Sequence, residues 1–206
     1  TPVQCPVDTP GATAAPCGPK GPSHGHHRPT SDITPALIAD RTVRVSAVRC
    51  DVRVSVFGLG YVGIVSAACL ARDGHTVIGV DPQDQKVKLV NSGQSPIVET
   101  GLPELVEAAV TSGSLSATRS AADAVASSDM SLVCVGTPSR PNGSLDTSAI
   151  ERVCEEIGAA IAEKGAPHLV VIRSTILPGT MRSVVIPTLE RAARMRVGST
   201  LRVANN

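Results

Sequence analysis

The chain has 206 residues, 42% of them apolar, and its 19 Lys and Arg nearly balance its 18 Asp and Glu. That length fits one ordinary domain with a tail, or two small domains. No basic run predicts a surface for nucleic acid or an anionic membrane, and no apolar run approaches the ~20 residues of a transmembrane helix. We therefore predict neither a nucleic-acid partner nor a membrane partner.

Residues 1–51 differ in composition from the rest of the chain. Eight prolines fall within the first 50 residues, together with several glycines. Such a segment cannot bury enough apolar surface to offset the entropy of ordering, so we predict a disordered Pro/Gly-rich extension, with at most a weak strand over Thr42–Val48. Its three clustered histidines and Cys17 lack a second ligand pair at a known spacing, so we predict no metal site.

The six cysteines are scattered and form neither a disulfide framework nor a CxxC metal site. Cys69, Cys134 and Cys154 lie within apolar segments, where we interpret them as small buried apolar residues. This usage fits a reducing cytosol.

From Val52 the sequence becomes regular. A strand is predicted over Val52–Phe57, apolar enough to be buried on both faces of a parallel sheet, and a helix over Tyr61–Arg72. Between them stands G-x-G-x-x-G, in the strand-to-helix context of a dinucleotide-binding turn. Gly58 permits the tight turn, Gly60 lets the backbone approach a pyrophosphate, and Gly63 lets helix and strand pack closely. Taken alone, the motif also fits a glycine-rich turn of purely structural use.

Strands and helices then alternate. Five further strands are predicted over Thr76–Val80, Leu115–Thr118, Ser131–Val135, His168–Ile172 and Thr200–Ala204. The helices between them are predicted over 83–91, 103–111, 120–127 and 179–194, with one more that begins at a capping box of Ser148 and Glu151. This alternation predicts an α/β fold with a Rossmann-like, doubly wound parallel sheet and helices on both faces. Ligands of such sheets bind at the carboxyl ends of the strands.

Asp81 ends the second predicted strand, 18 residues after Gly63. A carboxylate at that position accepts hydrogen bonds from the adenosine ribose and repels a 2′-phosphate, so the sequence predicts NAD rather than NADP. The alternative is a turn-forming aspartate before Pro82.

Two further strands end in small hydroxyl-bearing turns, Gly136-Thr-Pro138 and Ser174-Thr175. We expect both turns at the sheet edge that carries the glycine turn, where Thr137 and Thr175 can contact ribose or nicotinamide; they also fit ordinary turns. Glu99 could make a polar contact, but we interpret it as a solvated loop acid. No catalytic residue is predicted. His75 and His168 lie at the amino ends of the second and fifth predicted strands, on the sheet edge opposite the glycine turn.

Six motifs in this order and spacing resemble the UDP-glucose/GDP-mannose dehydrogenase family, over about Val52–Asn206. They are Ser55-Val-Phe-Gly-Leu-Gly-Tyr-Val-Gly63, Val77-Ile-Gly-Val-Asp81, Ser95-Pro-Ile-Val-Glu99, Cys134-Val-Gly-Thr-Pro-Ser139, Asn142-Gly-Ser-Leu-Asp146 and Arg173-Ser-Thr-Ile-Leu-Pro-Gly-Thr180. The motifs Ser-Pro-Ile-Val-Glu and Pro-Ser-Arg-Pro-Asn-Gly resemble the GDP-mannose branch more than the UDP-glucose branch.

The resemblance implies a cytoplasmic, homo-oligomeric enzyme that oxidises the C6 alcohol of GDP-mannose to a carboxylate, for alginate synthesis, and reduces two NAD per turnover. It also implies NAD contacts, in addition to the glycines, at Tyr61, Val62, Asp81, Lys86, Thr137 and Thr175.

The chain departs from the family pattern in three places. Thr100 stands where the family usually has proline. The family's nucleophilic cysteine, its acid/base lysine and its sugar-binding residues come later than the matched region, so we expect residues 52–206 to form an NAD-binding domain truncated before the catalytic and sugar-binding parts. Residues 1–51 have no counterpart, so we expect translated upstream sequence or a misassigned start.

Other interpretations stay open at this point. The full enzyme would act on UDP-glucose or UDP-N-acetylmannosamine in one alternative. In another, the sheet is a non-catalytic nucleotide-binding module. A nonfunctional gene fragment is the third.

Overall fold

The computed structural model of the chain describes residues 51–141 and 143–206. The predicted extension, apart from its last residue, and the weak strand within it lie outside these residues.

Six strands form one sheet in the described part of the chain: β1 (Arg53–Phe57), β2 (Thr76–Val80), β3 (Leu115–Thr118), β4 (Met130–Val133), β5 (His168–Ile172) and β6 (Leu201–Asn205). All neighbouring strands are parallel, and their order is β3-β2-β1-β4-β5-β6. From β1 the chain adds β2 and β3 on one side of the sheet and then β4, β5 and β6 on the other side. Doubly wound sheets bind ligands at this switch point between β1 and β4. The predicted fold class is confirmed.

Six α-helices connect the strands: α1 (Tyr61–Arg72), α2 (Asp84–Asn91), α3 (Leu102–Thr111), α4 (Ala121–Ala126), α5 (Ser148–Lys164) and α6 (Ile186–Ala193). The single helix expected over 179–194 is divided, because a π-helical turn spans Met181–Val185 before α6 begins. Pro187 has no N–H to donate to the carbonyl of Ser183, which lies inside the π turn. None of the described helices is both long and apolar enough to span a bilayer.

One helix ends at a glycine cap, and one predicted helix cap does not form. Gly74 follows α1 with φ +96°, and the next amide, of His75, donates to the carbonyl of Leu70, which completes a glycine C-cap. The predicted capping box of Ser148 and Glu151 does not form, because Ser148 is already the first residue of α5 and the N-cap position falls on Thr147, whose side chain makes no capping hydrogen bond. The Thr147 hydroxyl donates to the Glu151 carboxylate at 2.7 Å. In a capping box that carboxylate would instead accept a hydrogen bond from the backbone amide of the N-cap residue.

The sheet is covered on both faces by apolar side chains. Val54 and Val56 point to one face, where they pack in a cluster with residues of α1, α2 and α3. Phe57 points to the other face and packs in a second cluster with residues of α4, α5 and α6. Because successive residues of a strand alternate between faces, a run that is apolar at nearly every position suits a strand buried on both sides.

A buried polar network crosses the amino half of the sheet. His168 is 2% exposed, and its Nε2 lies 2.8 Å from the Ser131 hydroxyl, which lies 2.8 Å from the Ser55 hydroxyl. Lys164 donates to the Ser128 carbonyl and lies 3.1 Å from Nδ1 of His168. Burial, together with the Lys164 charge, lowers the pKa of His168 to about 4. The imidazole is therefore uncharged at neutral pH and has a structural role in the core.

We predict that this histidine makes the fold acid-sensitive. Its folded pKa lies below its ordinary value of 6.5, so the unfolded chain binds more protons between those values, and stability falls as pH decreases from about 6.5 to about 4. Between pH 7 and pH 5 the loss from this group is about 2 kcal/mol. Urea unfolding at both pH values measures it. The His168→Gln variant, which keeps polar atoms but does not titrate, should show a smaller decrease, and equal decreases would contradict the assignment.

Candidate cofactor-binding site

The glycine turn joins β1 to α1 through contacts that exclude side chains. Gly58 has φ +94°, and its amide donates to the Val80 carbonyl at 2.7 Å. A Cβ built on Gly63 would lie 1.7 Å from the Gly58 carbonyl oxygen, which is far inside van der Waals contact. A Cβ built on Gly60 would meet no atom within 4 Å. Gly58 and Gly63 are thus required by the fold, whereas Gly60 faces open space.

The N-terminus of α1 starts directly at this open space. Gly60 is the N-cap residue, and no side chain caps the helix. Ile64 donates the first hydrogen bond within the helix, to the Gly60 carbonyl at 3.0 Å. The preceding amides of Tyr61, Val62 and Gly63 therefore have no intrahelical acceptor, and the helix dipole favours an anion in front of them. This arrangement is suited to phosphate oxygens.

Asp81 ties the end of β2 to the glycine turn. The residue is 3% exposed, and its carboxylate accepts hydrogen bonds from the Leu59 amide at 2.9 Å and the Gln83 amide at 3.0 Å. It also forms an ion pair with Lys86, whose Nζ lies 3.2 Å from Oδ2. Asp81 is therefore a structural element of the turn as well as a candidate ligand for ribose.

The hydrogen bonds of Asp81 leave limited room for a ligand. A carboxylate offers about four acceptor positions, and three are used, two on Oδ2 and one on Oδ1. One position on Oδ1 remains for a ribose hydroxyl. Lys86 has further N–H groups that can donate to a second ribose oxygen, because the ammonium has three donors and one is used by Asp81. The two side chains can thus serve a ribose together.

The two threonine turns stand beside each other, as expected. The Thr137 hydroxyl donates to the Thr175 carbonyl at 2.8 Å, which joins the turn after β4 to the turn after β5. Ser174, which is 7% exposed, donates from its hydroxyl to the Val135 carbonyl at 2.7 Å. The hydroxyls of the Ser174-Thr175 turn were expected to contact ribose or nicotinamide, whereas the Ser174 hydroxyl joins the two turns.

The loop before α3 contacts the start of α1. The Tyr61 hydroxyl donates to the Glu99 carboxylate at 2.9 Å, and this hydrogen bond and the negative charge raise the pKa of Tyr61. Glu99 is exposed in this loop, as interpreted from the sequence, and it also makes this polar contact with Tyr61. Thr100 is followed by Gly101 with φ +77°, at which the loop turns into α3. The hydrogen bond from Tyr61, the first residue of α1, to Glu99 joins this loop to the start of α1.

Cys134 and Cys154 are not activated nucleophiles. Burial raises the pKa of Cys134 to about 11 and that of Cys154 to about 12, so both remain thiols. His168 begins β5 at the amino end of the sheet, away from the glycine turn. Within residues 51–141 and 143–206, no three His, Cys, Asp or Glu side chains are grouped as metal ligands.

Fold and site together define a dinucleotide-binding domain. The sheet order, the glycine turn at the switch point and a carboxylate at the end of β2 are the features that such domains share.

The chain belongs to the UDP-glucose/GDP-mannose dehydrogenase family, whose NAD binding domain matches residues 52–206. The GDP-mannose 6-dehydrogenase of Pseudomonas savastanoi pv. phaseolicola is 49% identical over 154 residues, which are 75% of this chain and 35% of that protein. The match covers three quarters of the chain but spans only about a third of the length of such relatives. The expected family is confirmed.

Two solved structures are similar in fold and sequence. A ternary complex of GDP-mannose dehydrogenase from Pseudomonas aeruginosa has a TM-score of 0.74 and 52% identity, and the match covers 75% of this chain and 35% of that one. A UDP-glucose dehydrogenase from Pyrobaculum islandicum has a TM-score of 0.73 and 39% identity, with 79% and 37% covered.

NAD is the cofactor of this family domain, and the residues present fit it. The open space before Gly60 suits the pyrophosphate, and Asp81 with Lys86 suits a ribose. The structure brings Gly58, Gly60, Gly63 and Asp81 together. Of the other predicted contacts, Tyr61 and Val62 begin α1, and Thr137 and Thr175 lie in the turns after β4 and β5. Lys86 lies on α2 and pairs with Asp81.

Gly60 and Gly63 provide a matched pair of substitutions. Gly60→Ala should leave thermal stability within about 0.5 kcal/mol, because its Cβ meets no atom. It should nevertheless weaken NADH binding by about tenfold, because the methyl group occupies the space of the phosphates. Gly63→Ala should lower stability, because its Cβ overlaps the Gly58 carbonyl. Thermal melting and NADH fluorescence titration measure both, and equal binding by Gly60→Ala and wild type would contradict the placement.

Asp81→Asn should weaken NADH binding and relax discrimination against NADPH. The substitution removes the negative charge that faces the ribose, and hydrogen bonds to charged groups contribute about 1.5–3 kcal/mol, so the loss is about tenfold or more. Asp84→Asn is the control, since Asp84 is an exposed carboxylate three residues further on that pairs with Lys88. Titration of both variants with NADH and NADPH tests this. Unchanged cofactor preference in Asp81→Asn would contradict the role.

Proposed function

We propose that this chain is the NAD-binding part of an enzyme that oxidises the C6 alcohol of GDP-mannose to the carboxylate of GDP-mannuronate, the precursor for alginate. The observation that carries the proposal is the identity to GDP-mannose dehydrogenases, 49–52% over the matched region, against 39% to the UDP-glucose dehydrogenase structure. A cytoplasmic location and a homo-oligomeric state of the complete enzyme belong to the same proposal.

The site residues have separate roles in this proposal. Gly58 and Gly63 shape the turn, and the amides of Tyr61 and Val62 bind the pyrophosphate with Gly60 giving access. Asp81 and Lys86 bind the adenosine ribose. Thr137 and Thr175 bind the nicotinamide half of the cofactor. The hydrogen bond between these two residues sets the spacing of the two turns that carry them.

When bound, NAD supplies the acceptor for the hydride that leaves C6. The described residues hold that acceptor in place, because the glycine turn, Asp81 and the threonine turns lie along one edge of the sheet. Neither Cys134 nor Cys154 has the lowered pKa that a nucleophile requires. We therefore infer that the nucleophile and the sugar-binding groups are contributed by residues other than those described.

UDP-glucose as substrate is the second candidate. It is favoured by the fold similarity to the Pyrobaculum islandicum enzyme, whose TM-score of 0.73 is nearly equal to that of the GDP-mannose enzyme. The described residues bind the cofactor rather than the sugar, so they do not discriminate between the two. The substrate can be identified by assaying the gene's native protein product with GDP-mannose, UDP-glucose and UDP-N-acetylmannosamine.

The 206-residue chain alone should bind NADH without oxidising a sugar nucleotide. The glycine turn and Asp81 suffice for the cofactor, whereas the described residues include no group to attack C6. NADH fluorescence titration measures binding, and NADH absorbance after addition of NAD and each of the three sugar nucleotides measures turnover.

Measurable turnover by this chain with GDP-mannose would overturn the inference that its catalytic groups lie elsewhere. A folded chain with no NADH response would instead favour a non-catalytic module over a cofactor-binding domain. The Gly60→Ala variant serves as the matched control, since it should fold as the wild type does and bind NADH less well.

A further inference from the structure

Lysine is scarce in this chain. The sequence contains four lysines, Lys20, Lys86, Lys88 and Lys164, against 15 arginines. Lys20 lies outside the described residues, and Lys86 and Lys88 each form an ion pair with an aspartate. Lys164, the last residue of α5, forms no ion pair with any described carboxylate. Its amine is therefore held by contacts of another kind.

Two uncharged acceptors hold the amine of Lys164 at the amino edge of the sheet. Its Nζ donates to the Ser128 carbonyl and lies 3.1 Å from Nδ1 of His168. An ammonium group has no acceptor position, so Nδ1 is the unprotonated nitrogen of the ring and accepts this hydrogen bond. Nε2 then carries the ring proton, and it faces the Ser131 hydroxyl at 2.8 Å.

The surroundings of this amine favour its neutral form. Partial burial lowers the pKa of Lys164. Asp129 acts in the opposite direction, but its carboxylate pairs with Arg53 at 2.7 Å, and the Arg53 charge lowers the pKa of Lys164 again. His168 is uncharged at neutral pH and adds no negative charge. A larger fraction of this amine is therefore neutral at pH 7 than in a lysine surrounded by water.

The geometry leaves the nitrogen open to attack an electrophile. A neutral amine has two N–H groups and one lone pair, and the Ser128 carbonyl and Nδ1 of His168 can accept both N–H groups. The lone pair is then left for the solvent side of a half-buried side chain. Gly165 follows with φ +63°, and a Cβ built on it would meet no atom within 4 Å. The end of α5 therefore adjoins open space through which a small molecule can approach.

We propose that Lys164 is a site of covalent acylation, at which an acyl phosphate or an acyl thioester transfers its acyl group to Nζ. The nitrogen lone pair attacks the carbonyl carbon of the donor and forms the C–N bond of an amide. The C–O bond to phosphate, or the C–S bond to the thiol, breaks at the same carbon. The leaving group takes the electron pair of that bond and the proton that the nitrogen loses, so no further reactant is needed.

Acylation changes the network that holds the amine. The amide nitrogen keeps one N–H for two acceptors, so either the Ser128 carbonyl or Nδ1 of His168 loses its donor. The positive charge also disappears, and that charge is one cause of the low pKa of His168. The acylated chain should therefore be less stable and should have a higher pKa at His168. Acylation of Lys88, which is exposed on α2, should have neither effect.

The test treats the full 206-residue chain with acetyl phosphate in one arm and with acetyl coenzyme A in the other, at pH 7, 8 and 9.5. Peptide mass spectrometry follows acetylation at Lys86, Lys88 and Lys164. At pH 7, Lys164 should be acetylated about fivefold faster than Lys88 in at least one arm, and this excess should decrease as the pH rises, because it depends on the neutral fraction of Lys164. The arm with the faster reaction identifies the donor. Lys164→Arg should abolish labelling at this position and leave Lys88 unchanged.

Acetylation of Lys164 no faster than that of Lys88 in both arms overturns the proposal. An excess that stays constant with pH also overturns it, because the difference would then come from exposure alone. Neither outcome depends on a variant that must fold.

Lys164→Gln imitates the uncharged amide and tests the link to the network, with Lys88→Gln as the matched control. Lys164→Gln should lower the melting temperature and raise the pKa of His168, measured by NMR titration and assigned with His168→Gln, whereas Lys88→Gln should change neither. An unchanged pKa of His168 in a folded Lys164→Gln chain, or in the acetylated wild type, contradicts this link.

Discussion

The hydrogen bond from the Leu59 amide to the Asp81 carboxylate is the contact on which the cofactor edge depends. It joins the turn after β1 to the end of β2 at 2.9 Å, and the Gly58 amide adds a second link to the Val80 carbonyl. Because Asp81 is 3% exposed, its charge is held by two amides and Lys86 rather than by water. The carboxylate that would bind the cofactor is therefore the same group that holds the turn in place.

Close packing imposes the second constraint on this edge. The helix α1 can start where it does because Gly63 brings its backbone against the Gly58 carbonyl. That approach places the unpaired amides of the first turn beside the carboxyl ends of β1 and β4. Gly60 is open in front of them, and the turns that carry Thr137 and Thr175 are joined to each other further along the edge. The site is a row of backbone groups positioned by the sheet.

The two ends of the sheet have different chemistry. At the amino end, His168 and Lys164 belong to a buried network that is satisfied internally and lowers the pKa of the imidazole to about 4. At the carboxyl end, Gly60 faces open space and Lys86 has further N–H groups that can donate to a ligand. Ionisable residues in the first group stabilise the fold, whereas those in the second group are available for binding.

The sequence by itself determined the α/β class, most strand and helix bounds, and the glycine turn with Asp81, because apolar runs and a fixed glycine spacing are local signals. Only the tertiary structure decided the contacts between distant residues, such as Glu99 with Tyr61 and Ser174 with Val135. It also placed the N-cap position of α5 at Thr147 rather than at Ser148. Local pattern carries no information on which polar side chains meet across the sheet. Those partners are set by strand order and by the packing of the helices on each face, and these exist only in the folded chain.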